Sequence, residues 1–270
     1  MPELPEIYHL SMQMENELAG KQIKDTEVLQ EKCLNIGKEE FVSQIFEKTI
    51  QSVSSLGKWI FIELDVGIKL ALSLGMGGDV IYHKDTASLP EKYQFKITFA
   101  DASFLTIRFW WFGYFHLIKH DNEKSHKQTA GLGVSPLDKA RFTYEYFYNM
   151  LCGKHGSIKS FLLNQKNIAG IGNVYIQDIL FRAKLHPGRK INTMDDSEKS
   201  LLYKAICEEI DEAVRLGGIA YERDLYNKPG RKHDFLVGYK EGESCPVCGT
   251  KISKITVANT ACYICSSCQK

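Results

Sequence analysis

The chain has 270 residues, 44% hydrophobic and 25% charged, which is enough apolar material for the packed cores of more than one domain. No stretch approaches the roughly 20 apolar residues that cross a bilayer, and the first residues lack the basic-then-apolar layout of a signal peptide, so a cytoplasmic location is expected. A net charge of +1 excludes a globally basic polyanion binder, yet the basic residues cluster: Lys119, His120, Lys124 and Lys127; Lys154, Lys159 and Lys166; Arg231, Lys232 and His233.

In chain order, Pro5 in a first turn followed by Ile7, Leu10, Met14 and Leu18 at helical spacing predicts a helix over 6–18. From about 22 to 120 the pattern changes to short apolar or alternating runs such as Trp59-Ile60-Phe61-Ile62 and Phe95-Lys96-Ile97-Thr98-Phe99, separated as in an all-β sandwich. A polar, Gly-bearing stretch from His120 is the best linker. Helical spacing then predicts helices over 139–152, 158–165, 173–184 and 197–215, with Pro187 stopping the third and Gly217-Gly218 ending the last. The expected divisions are a domain over 1–120, a linker over 121–137, a helical domain over 138–238 and a short tail over 239–270.

Five of the eight cysteines crowd that tail, and without an export signal this points to metal rather than disulfides. Cys245-x2-Cys248 and Cys265-x2-Cys268, separated by a short hairpin, match a tetrahedral four-thiolate zinc site. Such a zinc is structural, one per chain, because four protein ligands leave no position for water. Cys262-x2-Cys265 has the same spacing and competes. The later pair is preferred, since Cys248 and Cys268 are then both followed by chain-reversing or terminal residues. A second motif, Gly170-Ile171-Gly172-Asn173, lies between two expected helices. It suits either a plain turn or a phosphate cradle in which Asn173 caps the next helix or donates to the same oxygen.

Pro2-Glu3-Leu4-Pro5-Glu6 at the amino end, Gly170-Ile171-Gly172-Asn173, and the cysteine ribbon ending in Gln269-Lys270 occur together and in order. That combination resembles the formamidopyrimidine-DNA glycosylase/endonuclease VIII family. The likeness extends through Leu56-Gly57-Lys58-Trp59, Leu74-Gly75-Met76-Gly77-Gly78, Phe112-Gly113, Leu132-Gly133, Ile158-Lys159, Leu180-Phe181-Arg182-Ala183 and His186-Pro187, essentially the whole chain. It implies an α+β multidomain fold: an N-terminal β-sandwich flanked by helices, a helix-two-turn-helix domain, and a C-terminal zinc ribbon. Damaged double-stranded DNA would lie in the cleft between the lobes, bound by a monomer associated with the nucleoid.

The resemblance also assigns chemistry. With Met1 removed, Pro2 offers a secondary amine that attacks C1′ of a flipped nucleotide, expels the base and leaves an iminium from which the strand breaks by elimination. Glu3 shuttles protons and Lys58 is the cation near the scissile sugar and phosphate. A retained Met1 would turn the nucleophile into an amide. Met76 and Phe112 are implied as wedges filling the hole left by the flipped base, while Lys159, Gly170, Gly172 and Asn173 hold the backbone.

Three departures stand out. Trp110-Trp111 replaces the two arginines usual before Phe112-Gly113; these indoles can stack on bases but cannot neutralise phosphate, and one of the two is expected in the core. Thr260 stands where the family usually has a phosphate-gripping arginine, and Ser73 replaces a histidine. Each lost charge-assisted contact of this kind costs about 1.5–3 kcal/mol. The leading expectation is therefore a glycosylase/AP lyase of altered substrate range. The alternatives are a lesion- or abasic-DNA-binding protein with little base excision, and a zinc-ribbon interaction module unrelated to DNA. The segment 217–231 occupies the place where relatives fold a loop over the damaged base.

Overall fold

A computed structural model describes residues 1–65, 67–85, 89–119 and 125–270. His120 and Lys124 of the first basic cluster, and the start of the expected linker, lie outside these residues. The chain divides into two compact units, one comprising 1–131 with 217–231 and the other 132–216 with 232–270.

The first unit opens with α1 (Leu4–Leu18). Leu4, Ile7, Leu10, Met14 and Leu18 line its buried face at intervals of three and four, and Glu3 with Glu6 closes a reciprocal capping box at its start. Two four-stranded antiparallel sheets follow. One has the order β1 (Ile23–Val28), β6 (Phe95–Phe99), β7 (Phe104–Arg108), β5 (Asp79–His83). The other has the order β2 (Ile50–Leu56), β3 (Trp59–Leu64), β4 (Ile68–Ser73), β8 (Tyr114–Lys119). Ile60, Ile62, Leu70, Leu72 and Phe115 of one sheet and Phe95, Ile97, Phe99, Leu105 and Ile107 of the other share a single core, the sandwich expected from the alternation.

The alternating pattern hides α2 (Lys38–Ile45), which interrupts the β region. Its eight residues are too few to show a helical period. Tertiary packing holds it: Phe41 sits 5.2 Å from the Phe115 ring and 6.4 Å from that of Phe95.

Residues 217–231, expected in the helical domain, return to this first unit. Their backbone is held there by α1 and β5: Ile219 N–H donates to Glu6 Oε1 at 3.0 Å, Leu225 N–H to Gln13 Oε1 at 2.9 Å, and Tyr82 N–H to the Leu225 carbonyl at 2.9 Å.

The second unit contains α3 (Tyr144–Leu151), α4 (Ile158–Leu163), α5 (Ile176–Arg182), α6 (Asp196–Arg215) and a hairpin of β9 (Ser253–Val257) and β10 (Thr260–Ile264). Thr143, Ser157 and Asp195 cap α3, α4 and α6 with their side chains. α5 ends at Arg182, before Pro187 can act, and Lys184 follows in the left-handed region at φ 57°. The carboxylate of Asp178, buried on α5, accepts the N–H groups of Leu236, Val237 and Gly238 at 2.6, 3.0 and 3.0 Å. Phe181 shares a small core with Val237, Cys245, Ile252 and Cys265. These contacts fasten the C-terminal ribbon to the helices.

Candidate functional site

Pro2 and Glu3 are buried at the head of α1, Glu3 being 3% exposed. Glu3 N–H donates to Glu6 Oε2 at 2.8 Å, while the other Glu6 oxygen receives Ile219 N–H. Glu6 thus ties the amino end to the returning segment. Gly218 makes this possible, because at φ 88° a Cβ there would lie 2.5 Å from Glu6 Oε1. Lys58 occupies the two-residue turn between β2 and β3, whose Leu56 and Trp59 pair across it and whose Gly57 takes φ 61°. That turn brings Lys58 Nζ to 4.0 Å from Glu3 Oε1, with side-chain exposures of 11% and 3%.

Glu3 and Lys58 therefore come together beside Pro2 at the head of α1. The structure also brings in Glu222, from the 217–231 segment that the resemblance placed over the damaged base but to which sequence reasoning assigned no role of its own. The Met1 amine lies 3.3 Å from Glu222 Oε1. Burial pushes the Glu222 carboxyl above its ordinary range, and the neighbouring ammonium partly offsets this. Glu6 was legible in principle as the last residue, at N3, of a Glu-x-x-Glu capping box, but Glu222 carries no local signal.

Met76, Trp110, Trp111 and Phe112 form an exposed apolar tip, 45, 77, 62 and 70% exposed. Neither tryptophan enters the core, contrary to expectation; Trp59 is the buried one. Backbone bonds between Met76 and Trp111 in both directions, at 2.8 and 3.3 Å, join the two loops that carry the tip. A Cβ at Gly75 would sit 1.9 Å from the Trp111 carbonyl oxygen, so the loops meet this closely only through glycine. Phe112 itself is held at φ 57°. Arg108, at the base of the tip, is ion-paired to Asp79 across β5 and β7.

In the second unit Gly170 takes φ 106° and donates its N–H to Gln165 Oε1 at 2.8 Å, while Gln165 Nε2 donates to the Ile171 carbonyl at 2.8 Å. Gln165, unnoticed in the sequence, props this loop. Asn173 is exposed, but it does not cap α5: the N-cap is Tyr175, without a side-chain bond, and the Asn173 carbonyl accepts from Gln177 Nε2.

Lys159 departs further from expectation. It is wholly buried, and its ammonium donates to Thr260 Oγ1 at 2.6 Å, to the carbonyls of Val257, Thr260 and Ala261 at 3.1, 3.1 and 3.2 Å, and to Cys262 Sγ at 2.9 Å. The C-terminal basic run is likewise broken, since Lys232 is buried against Glu209 at 3.0 Å.

Among the described residues, Cys245, Cys248, Cys265 and Cys268 could hold a metal ion, their sulfurs lying within 4.8 Å of one another. Separations of 3.4 Å (Cys248 to Cys265), 3.5 Å (Cys248 to Cys268) and 3.9 Å (Cys245 to Cys268) bracket the S···S distance of about 3.8 Å in a tetrahedron with 2.3 Å Zn–S bonds. Cys262 is outside this group, engaged with Lys159.

Residues 1–127 match the family profile described as the formamidopyrimidine-DNA glycosylase N-terminal domain, and residues 132–224 match the H2TH domain of the same family. The chain belongs to the formamidopyrimidine-DNA glycosylase family. It is 30% identical over 274 residues to the formamidopyrimidine-DNA glycosylase of Lactococcus lactis subsp. cremoris, covering 100% of both chains, and 34% identical over 278 residues to that of Pelotomaculum thermopropionicum, covering 100% of this chain and 99% of the relative. A crystal structure of Lactococcus lactis Fpg with DNA containing N7-benzyl-Fapy-dG superposes with a TM-score of 0.92 at 29% identity, over 100% of each chain. The same enzyme with DNA containing an abasic site gives 0.91 at 29%, over 99% of each. No helix among the described residues is long and apolar enough to cross a membrane.

Proposed function

We propose that this protein is a DNA repair glycosylase with AP lyase activity that excises damaged, oxidised bases from double-stranded DNA through an iminium (protonated Schiff base) on Pro2. The observation that carries the reading is the meeting of Glu3 and Lys58, 4.0 Å apart, beside Pro2 at the head of α1. With Met1 removed, the Pro2 nitrogen attacks C1′ as the bond to the base breaks. The proton remaining on nitrogen passes to the sugar ring oxygen as the ring opens, leaving an iminium that acidifies C2′–H for elimination of the 3′-phosphate. Glu3, nearly sealed from solvent, is the group suited to carry these protons. Lys58, 4.0 Å from Glu3 Oε1, offers a cation to the phosphate.

The exposed tip of Met76, Trp110, Trp111 and Phe112 suits the role of a wedge that replaces the flipped nucleotide in the stack, and exposed Asn173, beside Gly172, suits contact with the DNA backbone. The four-cysteine ribbon fits a single structural zinc, which when bound would stiffen the hairpin. The protein acts as a monomer in the cytoplasm, on the chromosome. Borohydride trapping on duplexes with an abasic site and with oxidised bases, with the amino end verified by mass spectrometry, tests the reading. A lesion-binding protein with little base excision is the second reading. It is favoured by Thr260, whose hydroxyl is taken up by Lys159 and supplies no cation to phosphate.

A further inference from the structure

We propose that Glu222 holds the ammonium at the amino end of the chain and takes its proton, readying the Pro2 amine for attack in the processed protein. The proposal rests on the reading of Pro2 as the nucleophile.

Three observations support it. The first is position. Glu222 Oε1 is 3.3 Å from the terminal nitrogen, and its side chain is 11% exposed. The Pro2 nitrogen lies one residue further on, and one residue spans at most about 3.6 Å. A glutamate side chain can follow the amine over that distance.

The second is anchoring. Glu222 does not ride on a free loop. Ahead of it, Gly217 and Gly218 take φ 70° and 88° and Ile219 N–H is fixed to Glu6. Beyond it, Gln13 Nε2 donates to Asp224 Oδ2 at 2.9 Å, and Tyr226 Oη donates to Glu17 Oε1 at 2.8 Å. The carboxylate is thus clamped to the same helix whose first turn carries Pro2 and Glu3.

The third is charge. The groups facing Glu222 are the terminal ammonium, the Glu3 carboxylate and the Asp79 carboxylate, the last paired with Arg108. Glu3 in turn has Lys58. Two carboxylates with different partners divide the work: Glu3, paired to a cation, stays available for the leaving group and the ring oxygen. Glu222, whose partner is the amine itself, is raised by burial toward the basicity of that amine, so proton transfer between them is less uphill. The step balances: the ammonium N–H breaks and Glu222 becomes a carboxylic acid, then the freed lone pair forms the bond to C1′ as the C1′–base bond breaks and its electron pair leaves with the base.

The test uses full-length protein with Met1 verified absent and isotope-labelled Pro2, titrated by NMR and assayed by borohydride trapping on abasic duplex across pH. In Glu222→Gln the amine pKa should fall by about one unit, as expected on removing a close, poorly solvated opposite charge. The ascending limb of the trapping profile should move to lower pH with it, and the plateau rate should drop several-fold. Glu222→Asp should restore part of both. An amine pKa and a trapping limb unchanged by Glu222→Gln would overturn the proposal. An amine pKa that falls while the plateau rate holds would overturn the proton-taking role. Wild-type protein that never traps would instead remove the nucleophile reading, while the titration still decides whether Glu222 holds the amine.

Discussion

The Lys159 ammonium donates to Thr260 Oγ1 at 2.6 Å and to the Thr260 carbonyl at 3.1 Å, inside a hairpin turn whose Ala258 and Asn259 both take positive φ. A buried lysine with this many oxygen partners fixes the hairpin to α4. Lys159→Met keeps most of the stem and leaves those acceptors unpaired. It should cost on the order of 1–3 kcal/mol and lower the melting temperature by several degrees, with calorimetry as the check. Unaltered melting together with uniformly weaker DNA binding and a shallower salt dependence would return Lys159 to the phosphate backbone.

Metal dependence follows from the sulfur geometry. The purified protein should carry about one zinc per chain, and Cys248→Ser should lose it along with DNA affinity. Zinc supplies roughly 10–16 kcal/mol of apparent folding energy to small ribbons of this kind, so chelation should melt the ribbon locally. Cys262→Ser should keep the metal, because Cys262 lies outside the four-sulfur group. Metal analysis of the two variants separates the competing spacings.

Trp110 and Trp111 are exposed enough that truncation should leave thermal stability nearly unchanged. Either change to Ala should weaken binding to abasic duplex by about 1–3 kcal/mol, the range for stacking a base on an aromatic ring, and should hurt undamaged duplex least. Tryptophan fluorescence quenched on binding abasic DNA, and reduced in each variant, is the direct readout. Full affinity in the double variant would contradict the wedge.

The fold should weaken in acid through a histidine pair. His116 Nδ1 lies 2.9 Å from His126 Nε2, beneath Trp59 and Tyr114. Burial, with His126 second, holds His116 down to about 4 from an ordinary 6.5. The unfolded chain therefore binds this proton more readily, so the stabilisation is full above pH 6.5 and is lost as pH falls toward 4. The loss should be on the order of 3 kcal/mol. His116→Phe should flatten the dependence of denaturation midpoint on pH across that window; an unchanged slope would show that other groups carry it.

The parts of this molecule legible in its sequence are those written locally. Pro2 and Glu3 are neighbours, the cysteine pairs have fixed spacing, and β6 alternates cleanly. What was not legible depends on distant partners. Glu222 reaches the amino end because residues 217–231 return to α1; the resemblance placed that segment by the damaged base, but no local pattern assigns Glu222 its partner. Lys159 and Lys232 read as surface charge until Thr260 and Glu209 are seen to enclose them. Phe41 and Ile45 make a helix because the sandwich core needs covering, which no eight-residue window reveals. Trp110 and Trp111 looked half destined for the core because tryptophan usually is, whereas here both stand outside.

The central claim is that Pro2 is the nucleophile, and it is tested most directly by borohydride reduction on a duplex containing an abasic site. A secondary amine with an ordinary pKa near 8 is partly neutral at physiological pH, so protein with a verified free Pro2 should be captured covalently on the DNA. Protein retaining Met1, or carrying an amino-terminal tag, should give no adduct. Glu3→Gln should suppress base excision more than cleavage at a ready-made abasic site. Verified Pro2 protein that binds the abasic duplex yet forms no reducible adduct would contradict the account and leave a lesion-binding protein in its place.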